Sequence, residues 1–153
     1  MKQLYDEFDA QDNIVQRSIL LVPGLQLPEG HYWKEHTISL SEIQQEKLTY
    51  IENIRNEKCF TPISVLGHTW QVDSRSQTLL TSAILMAEIG VTPTPPYWRS
   101  LDNIDVPVTL NDLKSIAAAT AGQTQYAYSK SWQLKAAVMS ATSVEEANLI
   151  EWV

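Results

Sequence analysis

Much of what supports covalent, metal or phosphate chemistry is missing from this chain of 153 residues. It has one cysteine, Cys59, so an internal disulfide framework is excluded and a reducing compartment during synthesis is expected. No recognisable triad partners lie near Cys59, which is expected to be a buried or half-buried structural thiol. Five glycines leave little room for a phosphate loop, a dinucleotide fingerprint or a nucleophile elbow. Positive charge is short as well: eleven Lys and Arg against eighteen Asp and Glu give a net charge of −7, with no two basic residues adjacent. A nucleic-acid partner needs a positive surface that displaces counterions, so none is expected. Long apolar runs are absent. The run Ile19 to Val22 stops at Pro23-Gly24, far short of the ~20 residues of a membrane span. Lys2 is followed by the acidic Asp6, Glu7 and Asp9, unlike the basic start and apolar middle of a signal peptide. The expectation is a soluble chain without a membrane partner.

Residues that could ligate a metal are present in unhelpful spacings. His31 and His36 lie five apart around an expected strand and point to opposite faces, unlike the H-E-x-x-H pattern of a zinc helix. His68 is expected to make a hydrogen bond at a strand corner rather than to catalyse. Asp6, Asp9 and Asp12 recur every third residue but lack the glycine and terminal glutamate of a calcium loop. Asp102-Asn103 with Asp105 reads as turn chemistry, because such side chains bond their own backbone and tolerate unusual dihedrals. No catalytic residue, metal site or cofactor is expected, and the chain is not expected to be an enzyme.

What the chain does have is apolar material for a core, 44% of its residues, distributed to favour an α+β fold that is mainly α. Residues 1–38 read as strand and turn, an N-terminal β attachment arm. Ile14 to Val22 supplies β-branched residues, Leu27-Pro28-Glu29-Gly30 a turn, and His31-Tyr32-Trp33-Lys34 a short aromatic strand. Residues 39–60 read as a linker helix. Ser39-x-x-Glu42 is a capping box, and Ile43, Ile51 and Ile54 form a narrow apolar stripe suited to docking on the next domain or to a short coiled coil.

Residues 61–153 read as a helical domain. Its first helix, Ser74–Ile89, follows a cap at Asp73 or Ser74, and Gly90 ends it. A hairpin over Trp98–Val108 turns at Asp102-Asn103. Thr109 with Asp112 caps a long helix whose inward stripe is Leu113, Ala117, Thr120, Thr124, Ala127, Ser131, Leu134 and Val138. Gly122, inside that helix, costs about 1 kcal/mol against alanine, so tight packing is expected there. Thr142-x-x-Glu145 is expected to cap a last short helix. Of the five tryptophans, Trp70, Trp98 and Trp132 are expected to meet in the core. Trp33, with Tyr32 beside it, sits in the segment least able to fold alone.

Three ordered segments carry a family resemblance. The first is Gly67-His68-Thr69-Trp70-Gln71-Val72-Asp73-Ser74-Arg75-Ser76. The second is Trp98-Arg99-Ser100-Leu101-Asp102-Asn103-Ile104-Asp105-Val106-Pro107-Val108-Thr109. The third is Leu134-Lys135-Ala136, with the acidic Glu145-Glu146 leading to Trp152. Together, over about residues 44–153, they resemble uncharacterised domains of tail and tail-fibre-associated proteins of tailed bacteriophages. The resemblance implies a location, the virion tail after assembly in the host cytoplasm, and no chemistry. It leads to the expectation of a structural tail component that contacts tail-fibre or baseplate proteins. A tail-fibre assembly chaperone and a receptor- or glycan-binding tip are the alternatives. The candidate interface is Ile14, Val22, Tyr32, Trp33, Ile43, Ile51 and Ile54, and because fibres are commonly three-fold, self-association as a trimer is the favoured oligomer.

Overall fold

The computed structural model describes residues 4–20, 24–36 and 38–153. They divide into two compact units, Met1–Glu42 and Ile43–Val153, and the fold is α+β, mainly α.

The first unit is a three-stranded antiparallel sheet of β1 (Leu4–Phe8), β2 (Ile14–Leu20) and β3 (Tyr32–Glu35), in the order β2-β1-β3. Its first hairpin is closed by Asp9, whose carboxylate accepts from the backbone N–H groups of Gln11 and Asn13, both at 2.9 Å. Asp12 stands beside them at φ 62°, a left-handed position that Asp tolerates better than most residues. Asp9 and Asp12 are thus turn residues. The central strand β1 carries no alternating apolar pattern, and its charged Asp6 and Glu7 are buried.

Helix α1 (Leu40–Cys59), which belongs to the second unit from Ile43 on, starts at the expected box. Ser39 Oγ accepts from the Glu42 N–H, and the Glu42 carboxylate accepts from the Ser39 N–H at 2.9 Å. The helix is a packed part of this unit rather than a linker, and it runs antiparallel to α3 (Leu110–Ser140). Gln44 donates to the Val138 carbonyl, Glu52 pairs with Lys135, and Gln123 donates to the Thr61 carbonyl beyond the helix end.

Next comes the hairpin of β4 (Ile63–Val65) and β5 (His68–Trp70). Its two loop residues, Leu66 and Gly67, both have positive φ, 57° and 77°. That is the conformation whose twist suits a two-residue hairpin. Helix α2 (Ser74–Glu88) is capped by Asp73, which accepts from the N–H groups of Arg75 and Ser76. It ends at Gly90 (φ 71°) in a Schellman motif, with Gly90 N–H to the Ala87 carbonyl and Val91 N–H to the Met86 carbonyl. A second hairpin, β6 (Tyr97–Arg99) and β7 (Asp105–Pro107), turns at Asn103 (φ 63°). The Leu101 N–H donates to the Thr69 carbonyl at 2.8 Å, which joins the two hairpins. Thr109 and Asp112 form a full capping box on α3.

The core gathers Ile63, Trp70, Val72, Leu80, Leu113 and Ile116, with Trp98 and Val106 packed against it. On α3 the buried residues are Leu113, Ile116, Thr120, Ala127, Ser131 and Val138. The inward stripe is therefore the expected one at Leu113, Thr120, Ala127, Ser131 and Val138, whereas Thr124 and Leu134 are only half-buried, and Ile116 takes the fully buried place while Ala117 stays half-exposed. The larger side chain reaches the centre. Buried hydroxyls are satisfied within the helix, Thr120 donating to the Ile116 carbonyl and Ser131 to the Tyr128 carbonyl.

Four expectations need correction. Trp132 is not in the core but 64% exposed, on a part of α3 that the described residues leave largely uncovered. Gly122 is exposed, and a Cβ added to it would meet nothing within 4 Å, so no close packing offsets its cost in this chain. The last helix, α4 (Val144–Asn148), is capped one residue later than expected. Ser143 accepts from the Glu146 N–H, and the Glu146 carboxylate accepts from Thr142. His68 is exposed and leans on the Trp70 indole, ring centres 5.7 Å apart, instead of making a hydrogen bond at the corner.

Candidate interaction surface

The first unit is unusual in what it buries. Among its described residues the two that are buried as whole residues are neighbouring carboxylates, Asp6 and Glu7, and the His36 side chain is buried with them. Adjacent residues of a strand point to opposite faces, so one carboxylate lies on each side of the sheet. Each has a histidine partner. His36 Nδ1 lies 2.9 and 3.0 Å from the two Asp6 oxygens, and His31 Nδ1 lies 2.7 Å from Glu7 Oε1. The two histidines lie on opposite faces, each paired with a carboxylate. A buried carboxylate without such a partner would be strongly destabilising.

Around these pairs the apolar side chains remain at the surface. Phe8 sits opposite Ile14 on one side and Tyr32 on the other, so Ile14, Phe8 and Tyr32 form one row across a single face. The Phe8 and Tyr32 rings stack at 5.6 Å, and the Lys34 ammonium lies 4.6 Å from the Phe8 ring centre. Trp33 sits opposite Glu7 and so belongs to the other face, half-buried. The outer strand β2 is the most open part: Ile14, Val15 and Leu20 are 42%, 53% and 41% exposed. Val15 and Leu20 were not singled out from sequence, although the β-branched run from Ile14 contains the signal. Val22 lies outside the described residues.

The structure thus brings Ile14, Tyr32 and Trp33 onto one small sheet in the first unit, while the helix stripe belongs to the second. In the second unit Ile43 and Ile51 are buried and Ile54 is half-buried. Gln44, from the same helix, donates to the Val138 carbonyl of α3, and Lys47 to the carbonyls of Asn148, at the end of α4, and Ile150, just after it. The stripe is spent within the chain and is not a free surface. Cys59 is buried with its thiol unpaired to any other cysteine.

Among the described residues no group of three or more His, Cys, Asp or Glu is arranged to hold a metal ion, and no helix is long and apolar enough to cross a membrane. Most carboxylates whose pKa is held below the ordinary range are cap and turn residues; the exception is Glu52, lowered by the Lys135 ammonium that it pairs with on α3. Asp9 is lowered by the Asn13 side chain, Glu42 by Ser39, Asp112 by Thr109, and Asp73 and Glu146 by the backbone N–H groups of Ser76 and Thr142. Their hydrogen bonds serve local structure.

Residues 42–151, more than two thirds of the chain, match a family described as a domain of unknown function, DUF4376. The chain belongs to that family. The match begins within one residue of the second unit's start at Ile43, so the family domain includes α1. No curated protein and no solved structure matches the chain.

Proposed function

We propose that this member of the family is a non-enzymatic structural component of a bacteriophage tail, joined to a tail-fibre or baseplate protein through its N-terminal sheet. The observation that carries the attachment reading is the sheet itself. It buries carboxylates in place of an apolar core and leaves Ile14, Val15 and Leu20 exposed on the outer strand β2. A strand at a sheet edge offers unpaired backbone groups to another chain, and apolar side chains beside that edge add to the gain from pairing. Small sheets of this kind are marginal alone. The tail setting is supported by the ordered segments from Gly67 to Trp152 that resemble tail-associated domains.

Mass spectrometry of purified virions tests the reading. The protein is expected in intact particles; its presence in infected cells but absence from particles would remove the structural role. Co-expression with the neighbouring fibre gene separates the assembly-chaperone alternative. A structural subunit co-purifies in fixed stoichiometry, whereas a chaperone raises the yield of trimerised fibre and then dissociates. Substituting Val15→Lys on the outer strand is expected to abolish co-purification while leaving the second unit's melting transition unchanged.

A further inference from the structure

A groove of about 570 Å³ lies between α2 and α3 in the second unit, within the ~300–1,000 Å³ range of small-ligand sites. On α3, residues Ala121, Gln125, Tyr128 and Trp132 follow steps of four, three and four, which puts them on one helix face. Across from them α2 contributes Gln77 and Thr81.

The chemistry of the lining is selective. In a chain with 19% charged residues, no charged side chain lines this groove. A phosphate, a carboxylate or an ammonium ligand would therefore meet no counter-charge among the lining side chains. The polar groups present are hydroxyls and carboxamides, which both donate and accept, whereas Lys and Arg only donate and carboxylates only accept. The side chains of Thr81, Thr124, Gln125 and Ser129 line the groove and make no hydrogen bond within the described residues. They can bond a ligand without breaking the fold. A purely apolar occupant, such as the face of an amphipathic helix, would leave them unpaired.

One wall is aromatic and held in place. Trp132, 64% exposed, meets Tyr128 edge-on at 6.1 Å and 65°. The Arg55 guanidinium sits 4.8 Å from the Tyr128 ring centre. An indole fixed this way offers its electron-rich face to weakly positive C–H groups. Ligand groups that both donate and accept, no net charge and a C–H face together describe a sugar ring.

We propose that this groove binds a neutral glycan, one or two pyranose units stacked on Trp132 and hydrogen-bonded by Thr124, Gln125, Ser129 and Thr81. The site lies in the family domain and does not depend on attachment through the N-terminal sheet.

The test uses the full chain on a glycan array. Titration calorimetry then follows with the strongest neutral hit and with maltose and chitobiose as defined probes, for the wild type, Trp132→Ala and Gln125→Ala. Trp132 and Gln125 are surface residues, so melting temperatures are expected to be unchanged. Binding is expected to neutral glycans, weakened about tenfold or more by Trp132→Ala and measurably by Gln125→Ala. Silence on the array together with no heat from either disaccharide at millimolar concentration overturns the proposal. So does binding that Trp132→Ala leaves intact, or a preference for sialylated or phosphorylated glycans. Light scattering supplies the other outcome: a dimer that Trp132→Ala dissociates makes the groove an interface between two copies and also overturns it. None of these results depends on whether the protein is found in virions.

Discussion

Truncating Ile51 to alanine asks whether α1 is a structural part of the family domain or a strap leading to it. Ile51 sits midway along α1 and is 0% exposed, so Ile51→Ala removes buried methyl and methylene groups and leaves a cavity that α3 can only partly close. Such truncations cost ~2–5 kcal/mol. A domain of this size loses roughly 4 °C of melting temperature per kcal/mol, so a central cost of about 3 kcal/mol gives a fall of roughly 12 °C. The assay is differential scanning calorimetry of the full chain, with near-ultraviolet circular dichroism to follow the tryptophans of the second unit. Ile54→Ala, at a half-buried position, should lower the transition by less than half as much. A companion experiment removes α1 entirely. The fragment 61–153 should lack a cooperative transition, because Ile43, Ile51 and Cys59 leave with it, whereas 39–153 should melt cooperatively. An Ile51→Ala protein melting within about 2 °C of wild type, or a cooperatively folded 61–153 fragment, would refute the assignment of α1 to the domain.

Three further outcomes are expected. Ala127 is 1% exposed and Gln133 lies on the outer face of α3, so Ala127→Leu should cost ~1–3 kcal/mol by overpacking while Gln133→Leu changes the melting temperature little; equal melting temperatures would mean that the wrong face of α3 is inward. Gly122 has open space around it and no positive φ, so Gly122→Ala should stabilise the chain by up to about 1 kcal/mol, and a lower melting temperature would reveal a contact there. Asp73, Asp112 and Glu146 cap helices and have pKa values lowered by hydrogen bonds to Ser76, Thr109 and Thr142. A carboxylate lower in the folded than in the unfolded chain stabilises above its unfolded value and loses that contribution as pH falls through the folded one. Melting temperature should therefore drop below about pH 4, and Asp112→Asn should flatten part of that drop.

The helices were legible because their signals are local. Ser39-x-x-Glu42, Asp73 and Thr109-x-x-Asp112 satisfy N–H groups within one turn, and Gly90 closes α2 by a conformation few other residues accept. Where two adjacent residues could do the same work, the sequence underdetermined the answer. Thr142 and Ser143 both precede a glutamate at the right distance, and the tertiary setting chose Ser143. The packing of Trp132 and Gly122 was not legible, because periodicity names a face of α3 without saying how far along the helix that face is covered. Leu113, Thr120, Ala127 and Val138 sit where partner helices reach; Trp132 lies on a neighbouring face that they leave open.

Of the N-terminal strands, β2 and β3 were legible, and β1 was not, for a different reason. Strand signals rest on alternation between apolar and polar residues, and Leu4–Phe8 breaks the alternation with Asp6-Glu7 at its centre. Their histidine partners come from far along the chain, His36 thirty residues after Asp6 and His31 twenty-four residues after Glu7. No window short enough to detect a strand contains both members of either pair. The same arrangement explains why the candidate surface was only half legible. Once the interior of the sheet is occupied by hydrogen-bonded charge, its apolar residues have no interior to enter. Ile14, Val15 and Leu20 then remain on the outside because the sheet is built that way. On the attachment role proposed above, the buried polar pairs, more than the half-buried aromatics Tyr32 and Trp33, account for the apolar side chains left open on β2. Stability of such a sheet rests on geometry between specific partners more than on buried area, which is what that proposed role requires.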